Sequence, residues 1–360
     1  MLNAILIKKN RDHKLWLRKI ISRNKRKTRN RALQGVTIEQ KLEQRKREKI
    51  RTLNQRCKKL TAPNNFSLLE NTEEVLAFIN HIDECFAKRK SILINMEYVQ
   101  HIAYGAIIVL LSKLVQFKTK KIYVNGIFPK NNEAKRILKE SGFIDYLYKE
   151  DIRDNNEYFI DKKICTHANK IADAQLSAEI IRNVSKTLWD EERRCIGVQR
   201  VFLELMQNTN NHAADRPGEK HWWTSFVHVK SDTENKICFS FIDYGVGIFN
   251  SLTNKKTGKF LGITDKIKEI FGEKNNAELL RMLLRGEVHD IVNKTKTHKP
   301  YRGKGIPGIY NAVKKNDIAN LQIISNDAYA NVAIDEYKCL NNQLLGTYVY
   351  WELNDNNNNI

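Results

Sequence analysis

"ELMQNTNNHA", Glu204–Ala213, sets a carboxylate, a Gln, three Asn and a His into ten residues of helix-forming sequence. Around its start, Val198, Val201, Phe202 and Leu205 recur at the i, i+3, i+4, i+7 spacing of a buried helical stripe. Glu204, Asn208 and His212 lie four apart, so they drift by about 40° per step along a different face. One side of this helix reads as core. The other presents a carboxylate, an amide and an imidazole together. A hard cation such as Mg²⁺ accepts an amide oxygen and water and leaves sites for phosphate. A carboxylate one turn away can orient or deprotonate a water. Taken alone, the pattern reads more readily as the polar outer face of an ordinary helix.

Three stretches downstream change that weighting. "FIDYGVGI" (Phe241–Ile248) ends an apolar strand on Asp243, followed by Gly245 and Gly247. An Asp there can accept from the exocyclic amine of a purine, and glycines beside it let backbone and base approach closely. "YRGKGIPGIYNAV" (Tyr301–Val313) is a glycine-rich turn running into a helix, whose amides and N-terminus suit a phosphate. "GTYVYW" (Gly346–Trp351) opens the last strand with a Thr hydroxyl.

The order ExxxN, DxGxGI, RGxGxxG, GT resembles the GHKL superfamily of ATPases, which takes in gyrase, histidine kinases and mismatch-repair ATPases. The four motifs cover about 150 residues, from Glu204 to Thr347. The resemblance implies ATP and Mg²⁺ as ligands and a Bergerat α/β sandwich with helices on a mixed sheet. It implies that Asn208 binds Mg²⁺, that Glu204 activates the attacking water and that Asp243 holds adenine beside Gly245 and Gly247. Arg302, Gly303, Lys304, Gly305 and Gly308 would cradle phosphate, and Thr347 would support the adenine side. Residues 249–300 stand where the family has its ATP lid. His212 is more like the anti-sigma-factor kinases than gyrase. Gyrase-like members carry an acid where this chain has Asn211, which bears on the hydrolysis rate. The rival reading of "GKGIPG" is a dinucleotide fingerprint with Asp327 as its acid, but that motif should follow a strand and "KTKTHKPY" precedes it. No GxxxxGK[ST] P-loop occurs.

Residues 66–165 alternate strand and helix patterns: "EEVLAFINHIDECFAKR" and the apolar "YGAIIVLLSKLVQF" as helices, "SILINM" and "KIYVNG" as strands. That order predicts a small α/β domain with a parallel sheet. It resembles a STAS domain, the anti-sigma-factor-antagonist fold. Matching Gly105 to that family's turn glycine puts Ala103 where antagonists carry a phosphorylated Ser, and Ile102 at the usual Asp. Alanine has no hydroxyl to phosphorylate, so the resemblance implies a regulator that docks rather than one that is modified. The expected organisation is a basic, partly helical arm at 1–62, a STAS-like domain at 66–165 and an ATP-binding domain at 170–355.

The charge is uneven. Of the net +21, residues 1–60 carry +17, from 21 Lys and Arg against Asp12, Glu39, Glu43 and Glu48. Such an arm suits a polyanion through phosphate neutralisation, although Trp16 is its one aromatic residue. Six scattered cysteines without a CxxC pair argue against metal and disulfide frameworks and read as buried free thiols. The apolar run at Ala106–Leu111 falls far short of the ~20 residues a membrane span needs. The start "MLNAILIKKNRDHK" lacks signal-peptide order. A cytoplasmic protein without a membrane partner is therefore expected.

A sensor histidine kinase would need a phospho-accepting His upstream of Glu204. The nearest, His167, reads as a loop residue. Three functions remain in play: an ATP-hydrolysing regulator controlling a protein partner through the STAS-like domain or the arm, a serine kinase of anti-sigma-factor type, and a nucleic-acid-binding protein with a structural nucleotide. A homodimer is compatible with each.

Overall fold

A five-stranded sheet covered on both faces organises the larger part of the chain. The computed structural model describes residues 2–32, 38–148, 164–167, 173–212, 222–253, 272–288 and 305–357. They divide into two compact units, Met1–Cys57 and Lys58–Ile360.

The first unit is two helices, α1 (Leu2–Ala32) and α2 (Ile38–Arg56). The expected arm ran to residue 62, but Lys58–Thr61 is strand β1 of the second unit. Leu60 gives the reason: it is buried in the core there.

The second unit opens with a parallel three-stranded sheet ordered β1, β3 (Ile92–Asn95), β5 (Val124–Ile127), beside short β2 (Asn65–Phe66) and β4 (His101–Ile102). Helices α3 (Thr72–Ala87), α4 (Tyr104–Thr119), α5 (Asn132–Glu140) and α6 (Phe143–Tyr148) accompany it. Asn131 caps α5 by accepting from the Ala134 N–H at 2.9 Å. Every residue of α4 from Gly105 to Leu114 is buried. A helix apolar all round must be covered all round. Here one side meets α3 and β5, and the other lies on strands of the larger sheet.

That sheet runs β6 (Ile164–His167), β7 (Trp222–Lys230), β8 (Asn235–Asp243), β10 (Glu336–Asn354), β9 (Ala319–Asn331). All four pairings are antiparallel, so the expected mixed sheet is not what forms among the described residues. Tight turns set this: Ser231–Glu234 joins β7 to β8, and a 3-10 turn at Val332–Ile334 joins β9 to β10. That 3-10 turn interrupts "ANVAIDEYK", which reads as one strand from its alternation. His167 closes β6, opposite Trp222, rather than lying in a loop.

The two sheet faces serve different cores. Trp222, Phe239, Phe241, Val349 and Trp351 pack with α7 (Ala174–Trp189), α8 (Ile196–His212), α10 (Asn276–Arg285) and α11 (Gly305–Lys314). Trp223, Ile242, Ile324 and Tyr348 pack with α3 and α4 instead. Burial on both faces explains the run "WWTSFV" in β7, whose six residues are all buried. Asp173 caps α7 by accepting from the Leu176 N–H at 2.8 Å. A capping box of Asn275 and Glu278 starts α10, and Gly286 in the left-handed region ends it.

The expected lid loses its centre: "AELLRMLLRG" forms α10, with Leu279, Leu280, Met282, Leu283 and Leu284 in the core. Its apolar stripe requires a partner that a lid would not supply. The rest of that segment, 254–271 and 289–300, lies outside the described residues, as does the helix expected at "TDKIKEIFG". Short α9 (Gly247–Thr253) precedes it. Among the cysteines, Cys339 is exposed rather than buried.

Candidate functional site

The predicted site residues gather into two groups on one core. The first lies between α8 and α11. Val198, Val201, Phe202 and Leu205 are buried, which turns Glu204 and Asn208 away from the core toward α11. A Cβ on Gly305 would stand 3.1 Å from both amide atoms of Asn208 and 3.1 Å from Glu204 Oε2. A Cβ on Gly308 would stand 3.9 Å from Glu204 Oε1 and 3.8 Å from the Arg200 guanidinium. Glycine at 305 is therefore a matter of close approach: any side chain would press on the carboxylate and the amide. The first turn of α11, with its unpaired N–H groups and positive dipole end, faces this polar patch.

Burial pushes the Glu204 carboxyl above its ordinary range, and Arg200, whose Nε is 4.0 Å from Oε1, opposes the shift. A half-buried carboxylate of raised pKa suits proton transfer. Arg200 was not singled out by sequence reasoning, although its place one turn before Glu204 signals it. Arg302, Gly303, Lys304 and the side chain of His212 lie outside what the structure describes.

The second group closes the end of the sheet. Asp243 stands opposite Thr347 on β10 and Trp222 on β7. Its Oδ1 accepts from the Gly245 N–H at 2.7 Å, and it also takes a hydrogen bond from the Thr347 side chain. Burial nevertheless pushes the carboxyl up to about 6, against both of those bonds. Asp243 itself is only partly buried and keeps accessible surface. A carboxylate held partly out of water, with bonding capacity left over, is ready to accept from an amine.

Two residues missing from the sequence reading hold this corner. Ser325 Oγ accepts from the Ile248 N–H at 2.9 Å, donates to the Gly346 carbonyl at 3.2 Å and stands 3.1 Å from the Thr347 hydroxyl. Asn326, in the left-handed region at φ 51°, donates to the Val246 carbonyl at 3.1 Å and accepts from the Phe249 N–H at 3.2 Å. Gly247, at φ 78°, lies so close to the Asn326 amide that a Cβ would overlap it. Gly346, at φ 119°, has the Asp243 carbonyl where its Cβ would be. The polar pair closing the apolar "LQIISN" is the signal that could have found Ser325 and Asn326.

The two groups are tied through aromatic packing. Phe202 of α8 sits edge-on to Phe239 of β8, with centroids 5.6 Å apart, and to Trp351 of β10 at 5.1 Å. Asp327 bonds to the Asn276 amide, which gives it a structural partner in place of the ribose contact of the dinucleotide reading.

One further residue connects this corner to the opposite face. Tyr244, directly after Asp243, reaches α4. Its hydroxyl donates to the Val109 carbonyl at 3.2 Å and accepts from the Ser112 hydroxyl. The Lys113 ammonium lies 4.5 Å from the centre of its ring and 2.7 Å from Asp83 Oδ2. Lys113 is almost fully buried, so burial pushes its ammonium down and the Asp83 carboxyl up, each countered by the partner.

Among the described residues, no group of three or more His, Cys, Asp or Glu could hold a metal ion, and no helix is long and apolar enough to cross a membrane. The Asn208 amide oxygen, with the Glu204 carboxylate one turn away, fits a hard cation whose other ligands would be phosphate and water, not an all-protein cage. No family model, curated protein or solved structure matches the chain.

Proposed function

We propose that the second unit is an ATP-binding, Mg²⁺-dependent ATP-hydrolysing centre of GHKL type, and that its nucleotide state regulates a protein partner. The observation that carries this reading is the contact of Gly305 with Asn208 and Glu204, 3.1 Å from the position of a Cβ. A glycine-led helix start set against a carboxylate and an amide is an arrangement phosphate chemistry can use. Asp243 accepts from the adenine amine while Thr347 and Gly245 fix its orientation. Asn208 would hold Mg²⁺ through its amide oxygen, and the ion would supply neutralisation of phosphate charge. Glu204 takes the proton of the attacking water.

The resemblance of residues 66–165 to a STAS domain supports regulation by docking. Ala103, at the phosphorylated position of antagonists, is the N-cap of α4 and offers no hydroxyl. Tyr244 gives the nucleotide corner a direct bond to α4, so a shift of the Asp243–Gly247 loop is felt there.

Calorimetry with Mg²⁺ and a non-hydrolysable ATP analogue tests binding, and phosphate release from ATP tests turnover. Saturable one-site binding lost in Asp243→Asn supports the proposal. Equal binding by that variant overturns the adenine assignment. Label transferred to a protein serine, without free phosphate, replaces hydrolysis with the kinase reading.

A further inference from the structure

Helix α1 carries a face that none of the described residues of its own unit covers. Leu17 is 40% exposed, Ile21 53% and Trp16 56%, and the His13 ring stacks on Trp16 with centroids 5.8 Å apart. At ~100° per residue, His13, Trp16, Leu17, Ile20 and Ile21 fall within about 140° of the helix circumference. Lys14, Arg18, Lys19, Arg23, Lys25 and Arg26 occupy the opposite side, and all six are exposed. Leu15 and Lys27 break the pattern, the first an exposed apolar residue among the cations, the second an exposed cation on the apolar arc.

We infer that α1 docks on a membrane surface rich in anionic lipid. The choice follows from the separation of the two faces. A nucleic acid would use the cations and leave the Trp16–Ile21 face in water. A lipid interface uses both: the apolar side chains enter the acyl boundary while Lys and Arg reach the headgroup phosphates. A second copy packed on the apolar face would leave the cations of both helices turned outward without an anionic partner, since Asp12 is the one acid of α1. The helix is too polar to span, so it lies in the interface plane. This inference does not depend on the ATP reading.

Trp16 makes the test direct, because Trp222, Trp223 and Trp351 are buried and Trp189 is partly buried. The full chain is sedimented with phosphatidylcholine vesicles with and without phosphatidylserine, and with a DNA or RNA duplex in parallel. Binding to the phosphatidylserine vesicles, with Trp16 fluorescence quenched by brominated acyl chains, is expected. Trp16→Ser/Ile21→Ser, which leaves the charge unaltered, should weaken vesicle binding on the order of tenfold or more and leave duplex retention unchanged. Vesicle binding equal in that variant would mean attraction by charge alone and overturn the proposal. Retention by the duplex alone, or by neither, overturns it as well. Unchanged circular dichroism of the exposed-face variant shows that the helix survives.

Discussion

The Tyr244 hydroxyl donates to the Val109 carbonyl at 3.2 Å, so the residue next to Asp243 is bonded to the helix on the far face of the sheet. A loop whose one side chain lines the candidate nucleotide corner and whose neighbour grips α4 cannot move without disturbing both. Tyr244→Phe removes that bond and keeps the ring over which Lys113 sits. The expected loss of stability is about 1 kcal/mol, with a several-fold change in affinity for Mg²⁺ and ATP analogue. Chemical denaturation and calorimetry on the same samples check it. An affinity equal to that of the parent would remove the proposed link.

Asp243→Asn should move stability and binding in opposite directions. The parent carboxyl titrates near 6 in the folded chain, above its ordinary value of 3.8. A raised acid contributes stability that is complete below the unfolded pKa and is lost as pH rises through the folded one. The parent therefore gives up at most about 3 kcal/mol between about pH 4 and 6. The Asn variant should be the more stable of the two at pH 8, by part of that amount, while binding ATP analogue at least tenfold more weakly. Denaturation at pH 4 and pH 8 measures the first effect and calorimetry the second.

Glu204→Gln should keep nucleotide affinity and lower phosphate release by roughly 10²–10⁴-fold, the usual contribution of a positioned base. Parent turnover should fall as pH drops through the Glu204 carboxyl, which burial holds above 4.5, because only the ionised form accepts a proton. A turnover profile flat through the acid limb would count against that role.

Gly305→Ala and Gly105→Ala separate site from scaffold. At 305 a methyl meets Asn208 and Glu204 at 3.1 Å, so weakened nucleotide binding with little loss of stability is expected. At 105 a Cβ would overlap the buried Tyr348 hydroxyl, which should cost about 1–3 kcal/mol. Tyr348→Phe removes that oxygen and should restore part of the loss in the double variant, a coupling that a double-mutant cycle reads directly.

Lys113→Met should be strongly destabilising, by about 3–5 kcal/mol, because it strands Asp83 without its cation. Combining it with Asp83→Leu should recover most of the loss. Thermal unfolding of the three variants distinguishes a buried pair that matters from one the fold can do without.

The sequence by itself determined the helix of the opening stretch and its two faces. A 3.6-residue period with apolar residues at Val198, Val201, Phe202 and Leu205 needs only local geometry, and it places Glu204 on the other side whatever the fold. The strand ending in Asp243 was legible from its apolar run, whereas Thr347, read as opening the last strand, lies in the middle of β10 (Glu336–Asn354) because the pairing with β9 starts at Glu336. Tertiary structure alone decided which residues meet across the chain. Ser325 and Asn326 became the clamp of the Asp243 corner because β9 and β10 pair in one register, and Tyr244 became a link because α4 covers that sheet face. The antiparallel order, the core role of α10 and the capture of Lys58–Thr61 by the small sheet are likewise products of long-range pairing. Local periodicity records which side of an element is apolar; it carries no record of what that side is packed against.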